Sequence, residues 1–191
     1  MSYLRFALIS CTVAFLVFLN SCNNSTQVNT ATDESPVAVE EKTVQDTTLK
    51  DNDYMTTLGL MKGHLMVGQE LLEQKLADQA EPHMGHPIEE LYGDIEAELP
   101  ERGVEDFKPD LNQLHDIVAT APEAPEIPEQ YATVIQKIDQ AIAILPETKS
   151  ESPKFVLDSI NGILATADEE YAAGILDGKI VEIIEYQDSR G

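Results

Sequence analysis

Two of the chain's four histidines stand three residues apart in Pro82-His83-Met84-Gly85-His86-Pro87-Ile88-Glu89-Glu90-Leu91-Tyr92-Gly93, and a carboxylate pair follows at once. Imidazole nitrogens ligate zinc, iron and copper, a Met thioether suits copper(I), and a carboxylate can complete such a shell. The stretch therefore holds the donor types of a transition-metal site in His83, His86 and Glu89, with Met84 between the histidines. A purely local account competes with it. His86 as the cap, Pro87 at the first helical position and Glu89 at the third, its carboxylate reaching back to the cap amide, would simply begin a helix. Glu89 and Glu90 would also suit the positive end of that helix's dipole. Local helix chemistry explains Pro87, Glu89 and Glu90, but not two histidines with Met84 between them. The compact turn that Gly85 and Pro87 impose puts His83 and His86 within about 8 Å of each other.

His64 lies in Gly59-Leu60-Met61-Lys62-Gly63-His64-Leu65-Met66-Val67-Gly68. Leu60, Met61, Val67 and Gly68 are its helical neighbours, so it sits on or beside an apolar face. Gly59, Gly63 and Gly68 crowd the same turns, although each costs a helix about 1 kcal/mol relative to Ala. Something approaches closely there, either a neighbouring helix or a ligand lodged beside His64. On an unbroken helix His64 is about 22 Å from the turn that carries His83 and His86. One site holding all three requires the first helix to break near Ala77 and the chain to fold back. His115, next to Leu111 and Val118 on a later helix, can approach either place. The minimal site is His83, His86 and one carboxylate or His115, with His64 as a further member.

Other chemistries find no residues to carry them. The sequence has no Gly-rich phosphate loop, no nucleophile elbow and no paired-Cys motif. Asp51 and Asp53 begin like a calcium loop, but Met55 occupies the third oxygen position and Thr56 that of the turn glycine.

The elements that must position the histidines are helices, because the apolar period is close to 3.6 almost throughout residues 54–191. A first helix from about Tyr54 to Gln79 has Leu58, Met61, Leu65, Leu72 and Leu76 on one face. A second from Pro87 to before Pro100 carries Ile88, Leu91, Tyr92, Ile95 and Leu99. A third, from about Pro109 to Thr120, buries Leu111, Leu114 and Val118. Ala119-Thr120-Ala121-Pro122-Glu123-Ala124-Pro125-Glu126-Ile127-Pro128 then breaks the pattern as a linker near residues 119–128. The fourth helix opens with Pro128 in its first turn and closes before Pro146, burying Tyr131, Val134, Ile135, Ile138, Ile142 and Leu145. A fifth follows Ser152-Pro153, a cap and first-turn pair, with Val156, Ile160, Ile163, Ala167 and Tyr171 on its stripe. The last stretch, from Gly174, reads as a continuation or a sixth short helix. Its Asp177-Gly178 pair would also fit a hairpin, but a lone hairpin among helices is marginal. Gly174 and Gly178 mark places where another backbone comes close. The expected fold is all-α, an antiparallel helical bundle of five or six helices.

Ahead of the bundle the chain opens with Arg5, an apolar run from Phe6 to Leu19 and then Leu19-Asn20-Ser21-Cys22. That is the organisation of an export signal, and the run falls short of the roughly 20 apolar residues a membrane span needs. Leu19 to Cys22 resembles the bacterial lipobox, with Asn20 an unusual occupant. The resemblance implies cleavage after residue 21 and a lipid on Cys22, which would hold the protein to a membrane of the cell envelope, facing periplasm or exterior. Cysteine usage agrees, since Cys11 leaves with the signal and Cys22 is then a lone thiol in an exported chain. Residues 22–53 are rich in Thr, Asp, Asn and Glu and poor in large apolar side chains, and read as a disordered tether. Loss of Arg5 with the signal moves the formal charge from −23 to −24. Such a surface repels nucleic acid and anionic head groups and leaves cations, basic proteins or neutral ligands as partners.

His86-Pro87-Ile88-Glu89-Glu90-Leu91-Tyr92-Gly93 is similar to the His-x-x-Glu signature of the imelysin-like bacterial proteins, exported helical bundles associated with iron or copper uptake. In that family the glycine stands two before the histidine, whereas Gly85 here is immediately before it. The resemblance implies His86 and Glu89 as ligand positions and no catalysis. Two functional expectations follow. One is a non-enzymatic envelope lipoprotein that binds copper, iron or zinc through His/Glu/Met side chains drawn from His64, His83, Met84, His86, Glu89 and His115. The other is a tethered acidic bundle that docks on a protein partner, its histidines serving as core and cap residues. A di-metal oxidase is disfavoured, because its Glu-x-x-His pairs are absent from the sequence.

Overall fold

In the computed structural model the described residues are 37–191, with side chains described from Lys50 onward. The expected export segment, Cys22 and the tether up to residue 36 lie outside them. The chain forms helices α1 (Val37–Glu73), α2 (Ala77–His86), a π-helical turn (Pro87–Leu91), α3 (Tyr92–Ile95), α4 (Glu98–Glu101), α5 (Lys108–Thr120) and α6 (Ile127–Ala143). Then follow α7 (Glu147–Ser150), α8 (Pro153–Gly174), the two-residue strands β1 (Ile175–Leu176) and β2 (Lys179–Ile180), and α9 (Ile183–Asp188). The all-α expectation holds, with one small hairpin added.

Helix α1 is the organising element, packing against α2, α6 and α8. Tyr54, Leu58, Met61 and Leu65 recur along it at helical spacing and are fully or almost fully buried. They meet Met84, Tyr92, Ile95 and Leu99 from the α2–α4 segment, Phe107, Leu111, Leu114 and Val118 around α5, and Val134, Ile138 and Ala141 of α6 in one core. The faces expected for α5 and α6 are the buried ones. Tyr92 anchors the α4–α5 loop from inside: its hydroxyl donates to Asp106 Oδ1 at 2.5 Å and accepts from the Phe107 and Lys108 amides. Burial, and then this bond to Asp106, push the Tyr92 phenol well above its ordinary value.

Several expectations need correction. The first helix starts at Val37 rather than near Tyr54. Asp51 and Asn52, polar enough to read as tether, are buried because distant partners satisfy them. Asp51 Oδ1 takes Arg102 Nη1 at 2.7 Å and its other oxygen takes Lys149, while Asn52 Nδ2 donates to Phe155 O and Ser159 Oγ, each at 2.9 Å. The first helix also ends at Glu73, before the expected Gln79, in a turn where Lys75 adopts φ 61°. No glycine or proline announces that break.

The second helix does not begin at Pro87. Pro87 lacks the amide that would bond one turn back, and the helix entering at Ala77 runs through it by widening into a π-helical turn. Helix α8 buries Phe155 and Ser159 against α1, while Val156, Ile160 and Tyr171 of its expected stripe face outward, 40–50% exposed, and Leu157 and Leu164 are exposed with them. The terminal stretch divides between both alternatives. Asp177 and Gly178 each take positive φ, 52° and 71°, as a two-residue hairpin turn requires, and α9 follows.

Candidate metal centre

The turn at residues 74–76 decides the site. Because α1 stops there and α2 runs back along it, His64 on α1 comes beside His83 and His86 on α2, which is the fold-back that convergence required. The ring centroids of His64 and His86 are 5.2 Å apart and those of His83 and His86 5.9 Å, in edge-to-face arrangements. The expected proximity of His83 and His86 is therefore met, but at the far end of α2. His86 has helical backbone angles (φ −51°, ψ −41°) and makes no capping hydrogen bond, so the capping explanation fails.

The fourth member comes from the opposite end of the chain. Helix α8 turns through the β1–β2 hairpin, and α9 lays Asp188 into the space between the three rings. Asp188 Oδ1 lies 2.5 Å from His64 Nδ1 and 2.6 Å from His83 Nδ1, and Oδ2 lies 3.0 Å from His86 Nδ1. The His86 contact is off the line of a hydrogen bond, and this buried nitrogen has no hydrogen-bond partner. The donor atoms of His64, His83, His86 and Asp188 all lie within 4.8 Å of one another. Their side chains are 6%, 0%, 16% and 3% exposed.

Small residues make the assembly sterically feasible. A Cβ on Gly63 would stand 2.5 Å from the Gly191 carbonyl carbon, and one on Gly174 would stand 2.6 Å from the Tyr186 amide nitrogen. These glycines let the C-terminal segment close on α1 and α8. Gly59 faces Ile163 of α8, and Gly68 faces the Met84 thioether, whose sulfur would lie 3.2 Å from its Cβ. Helix packing thus accounts for the crowded glycines, and Met84 is a fully buried packing residue against Gly68.

Electrostatically the site is poised for positive charge. Burial alone would raise the Asp188 carboxyl, but contacts with His64, His83 and His86 outweigh it and hold the group far below the usual carboxylate range. Asp188 raises His86 above its ordinary value against the opposing effect of burial, and the charges of Glu90 and Glu185 add to the rise. Glu170 on α8 is raised by burial, with Asp188, Glu185 and Glu90 adding to it and His64 opposing.

Glu89 and His115 are not in this group. His115 Nε2 pairs with Glu81 Oε1 at 2.7 Å, and a Cβ on Gly85 would stand 3.4 Å from His115 Nε2 and 3.8 Å from Glu89 Oε1. Asp188 was missed by sequence reasoning, as was Gln187, whose Oε1 is 3.0 Å from His83 Nε2. Neither has a local signal, since Asp188 is one of 35 acidic residues and becomes distinctive only through the fold.

Residues 146–191 are similar to the iron permease-associated 4-helix bundle domain. The matched segment spans α7 to α9 and so includes Gln187 and Asp188, but not the His86–Gly93 stretch that carries the imelysin-like resemblance. No curated protein and no solved structure matches the chain significantly. Of the His/Asp cluster, Asp188 lies in the matched segment and His64, His83 and His86 lie ahead of it.

The donor set fits a transition metal. Three neutral imidazoles and one carboxylate suit zinc, iron or copper(II), whereas copper(I) would favour softer sulfur donors. An ion bonded to His86 Nδ1 would also satisfy the orphaned nitrogen.

Proposed function

We propose that this chain is a non-catalytic lipoprotein of the cell envelope that binds a transition metal through His64, His83, His86 and Asp188 in the service of metal uptake. The observation that carries this reading is the convergence of three imidazole nitrogens and one carboxylate from three separate helices within 4.8 Å, in a buried place where such polar atoms are otherwise costly. Iron enters through the similarity of residues 146–191 to the iron permease-associated domain. Four protein donors fill a four-coordinate shell, which favours holding an ion over activating a substrate on it. The Leu19–Cys22 lipobox resemblance supports the anchor, and the acidic chain suits a handler of cations.

The exposed apolar stripe of α8 favours a second reading, a lipoprotein that docks on a protein partner and uses no metal. Metal content separates the two. The chain, stripped by mild chelation and reloaded with Fe(II), Cu(II) or Zn(II), should retain about one ion per site. The His83→Ala/His86→Ala variant should retain none. Equal, near-zero content in both would discard the metal reading.

A further inference from the structure

We propose that Gln187 is a positioning residue that holds His83 in the tautomer able to ligate the ion, an inference resting on the metal-binding reading of the site. Gln187 precedes Asp188 on α9 and is 6% exposed, and His83 is 0% exposed, so water does not compete for their contact. The Gln187 amide is oriented from behind: its Nε2 donates to Gln79 Oε1 at 2.6 Å. Its carbonyl oxygen is therefore the end turned to His83, 3.0 Å from Nε2. A neutral imidazole has one protonated and one bare nitrogen, and the nitrogen that faces a carbonyl must be the donor. The proton then sits on His83 Nε2, and the Nδ1 lone pair points into the cluster, 2.6 Å from Asp188 Oδ1.

At that distance a bare Nδ1 beside a carboxylate oxygen requires a shared cation, either a second proton on the imidazole or a metal ion bonded to both atoms, and in the metal-loaded chain the ion takes that place. Consecutive residues of α9 thus do two jobs: Asp188 donates a ligand oxygen, and Gln187 fixes which nitrogen of the facing histidine is free to bind. Such outer partners orient ligating histidines and commonly contribute about 10- to 100-fold to metal affinity. Among the described residues, His83 is the one of the three site histidines whose second nitrogen has a protein hydrogen-bond partner.

The opposite proton arrangement is self-consistent without a metal. With both amides turned over, Gln187 would donate to His83 Nε2, and Nδ1–H would donate to Asp188. The full chain, labelled with 15N and loaded with Zn(II), distinguishes them through long-range proton–nitrogen correlations of the imidazoles. His83 should show a slowly exchanging proton on Nε2 and none on Nδ1. Zn(II) affinity should fall about 10- to 100-fold in Gln187→Met and recover in Gln187→Glu, which keeps an acceptor oxygen. A His83 proton found on Nδ1, or equal Zn(II) affinity in the parent and Gln187→Met, overturns the positioning role while metal binding stands. A parent chain that takes up no metal overturns the site reading itself, and this inference with it. Should Gln187→Met fail to fold, the parent spectrum and Gln187→Glu still decide the matter.

Discussion

Asp188 Oδ1 lies 2.6 Å from His83 Nδ1, although 105 residues of chain separate them. That contact ties the C-terminal α9 to the start of the helical core and sets the first prediction. Asp188→Asn keeps the shape but removes the charge that the three imidazoles face. Metal binding should fall to near background in a Zn(II) titration. The metal-free protein should lose about 3–5 kcal/mol, the usual cost of breaking a buried charged pair, as read from denaturant unfolding. Unchanged affinity would remove Asp188 from the ligand set.

The same contact shows where reading the sequence stops. The faces of α5 and α6 were legible because Leu111, Leu114 and Val118, and Val134 and Ile138, recur at helical spacing, and burial follows that period directly. His83 and His86 were legible as donors because two imidazoles so close together exceed what helix punctuation needs. Their meeting with His64 depends on a turn at Lys75, a residue with no special liking for φ 61°. The turn is closed by backbone bonds alone, from the Lys75 amide to Leu72 O and from the Leu76 amide to Leu71 O, each at 2.9 Å. Pro87 misled because a proline usually opens a helix, whereas here the chain absorbs its missing amide in a π-helical turn. Asp51 and Asn52 misled because their buried partners, Arg102, Lys149, Phe155 and Ser159, are remote in sequence. Asp188 had no local signal for the same reason.

Two glycines separate delivery of Asp188 from simple helix packing. In Gly174→Ala the new methyl meets backbone, the Tyr186 amide nitrogen at 2.6 Å, so α9 must shift and carry Asp188 with it. In Gly59→Ala it meets the Ile163 Cδ1 at 2.8 Å, the movable end of a flexible side chain. Zn(II) affinity should drop at least about tenfold in the first, the order lost when ligand positioning is disturbed, and stay near the parent value in the second. Calorimetric titration of both variants checks the contrast. Equal affinities would mean that α9 placement does not govern the site.

Tyr92→Phe should cost stability and leave metal binding alone. The variant loses the bond to Asp106 and deprives the Phe107 and Lys108 amides of their acceptor. A loss of about 1–3 kcal/mol is expected for stranding such groups. Thermal unfolding with and without Zn(II) measures it. A changed metal affinity would show that core and site are coupled through α3.

Cys22→Ser tests the anchor. The lone thiol of the expected mature chain carries the lipid in the proposed reading, so the variant should leave the membrane fraction for the soluble one. Continued membrane association in fractionated cells would assign the attachment to the Phe6–Leu19 run instead.

Proton and metal should compete at His86, and the two pH dependences should have opposite signs. In the metal-free protein His86 is raised above its ordinary value by its approach to Asp188, against burial, with Glu90 and Glu185 adding to the rise. A raised imidazole stabilises the fold fully below about pH 6.5, the ordinary His value, and that contribution fades as pH climbs through the higher folded-state value. Asp188 is lowered, because the histidine contacts outweigh burial, so its contribution is present above about pH 4 and is lost on acidification below that. Metal-free stability should therefore peak between about pH 4 and 6.5 and decline on the alkaline side. Metal needs the bare nitrogen, so stabilisation by Zn(II) should grow with pH across the same rise in which the metal-free protein weakens. Thermal midpoints from pH 4 to 9, with and without the ion, give both curves, and parallel curves would mean that the proton on His86 and the metal do not share a site.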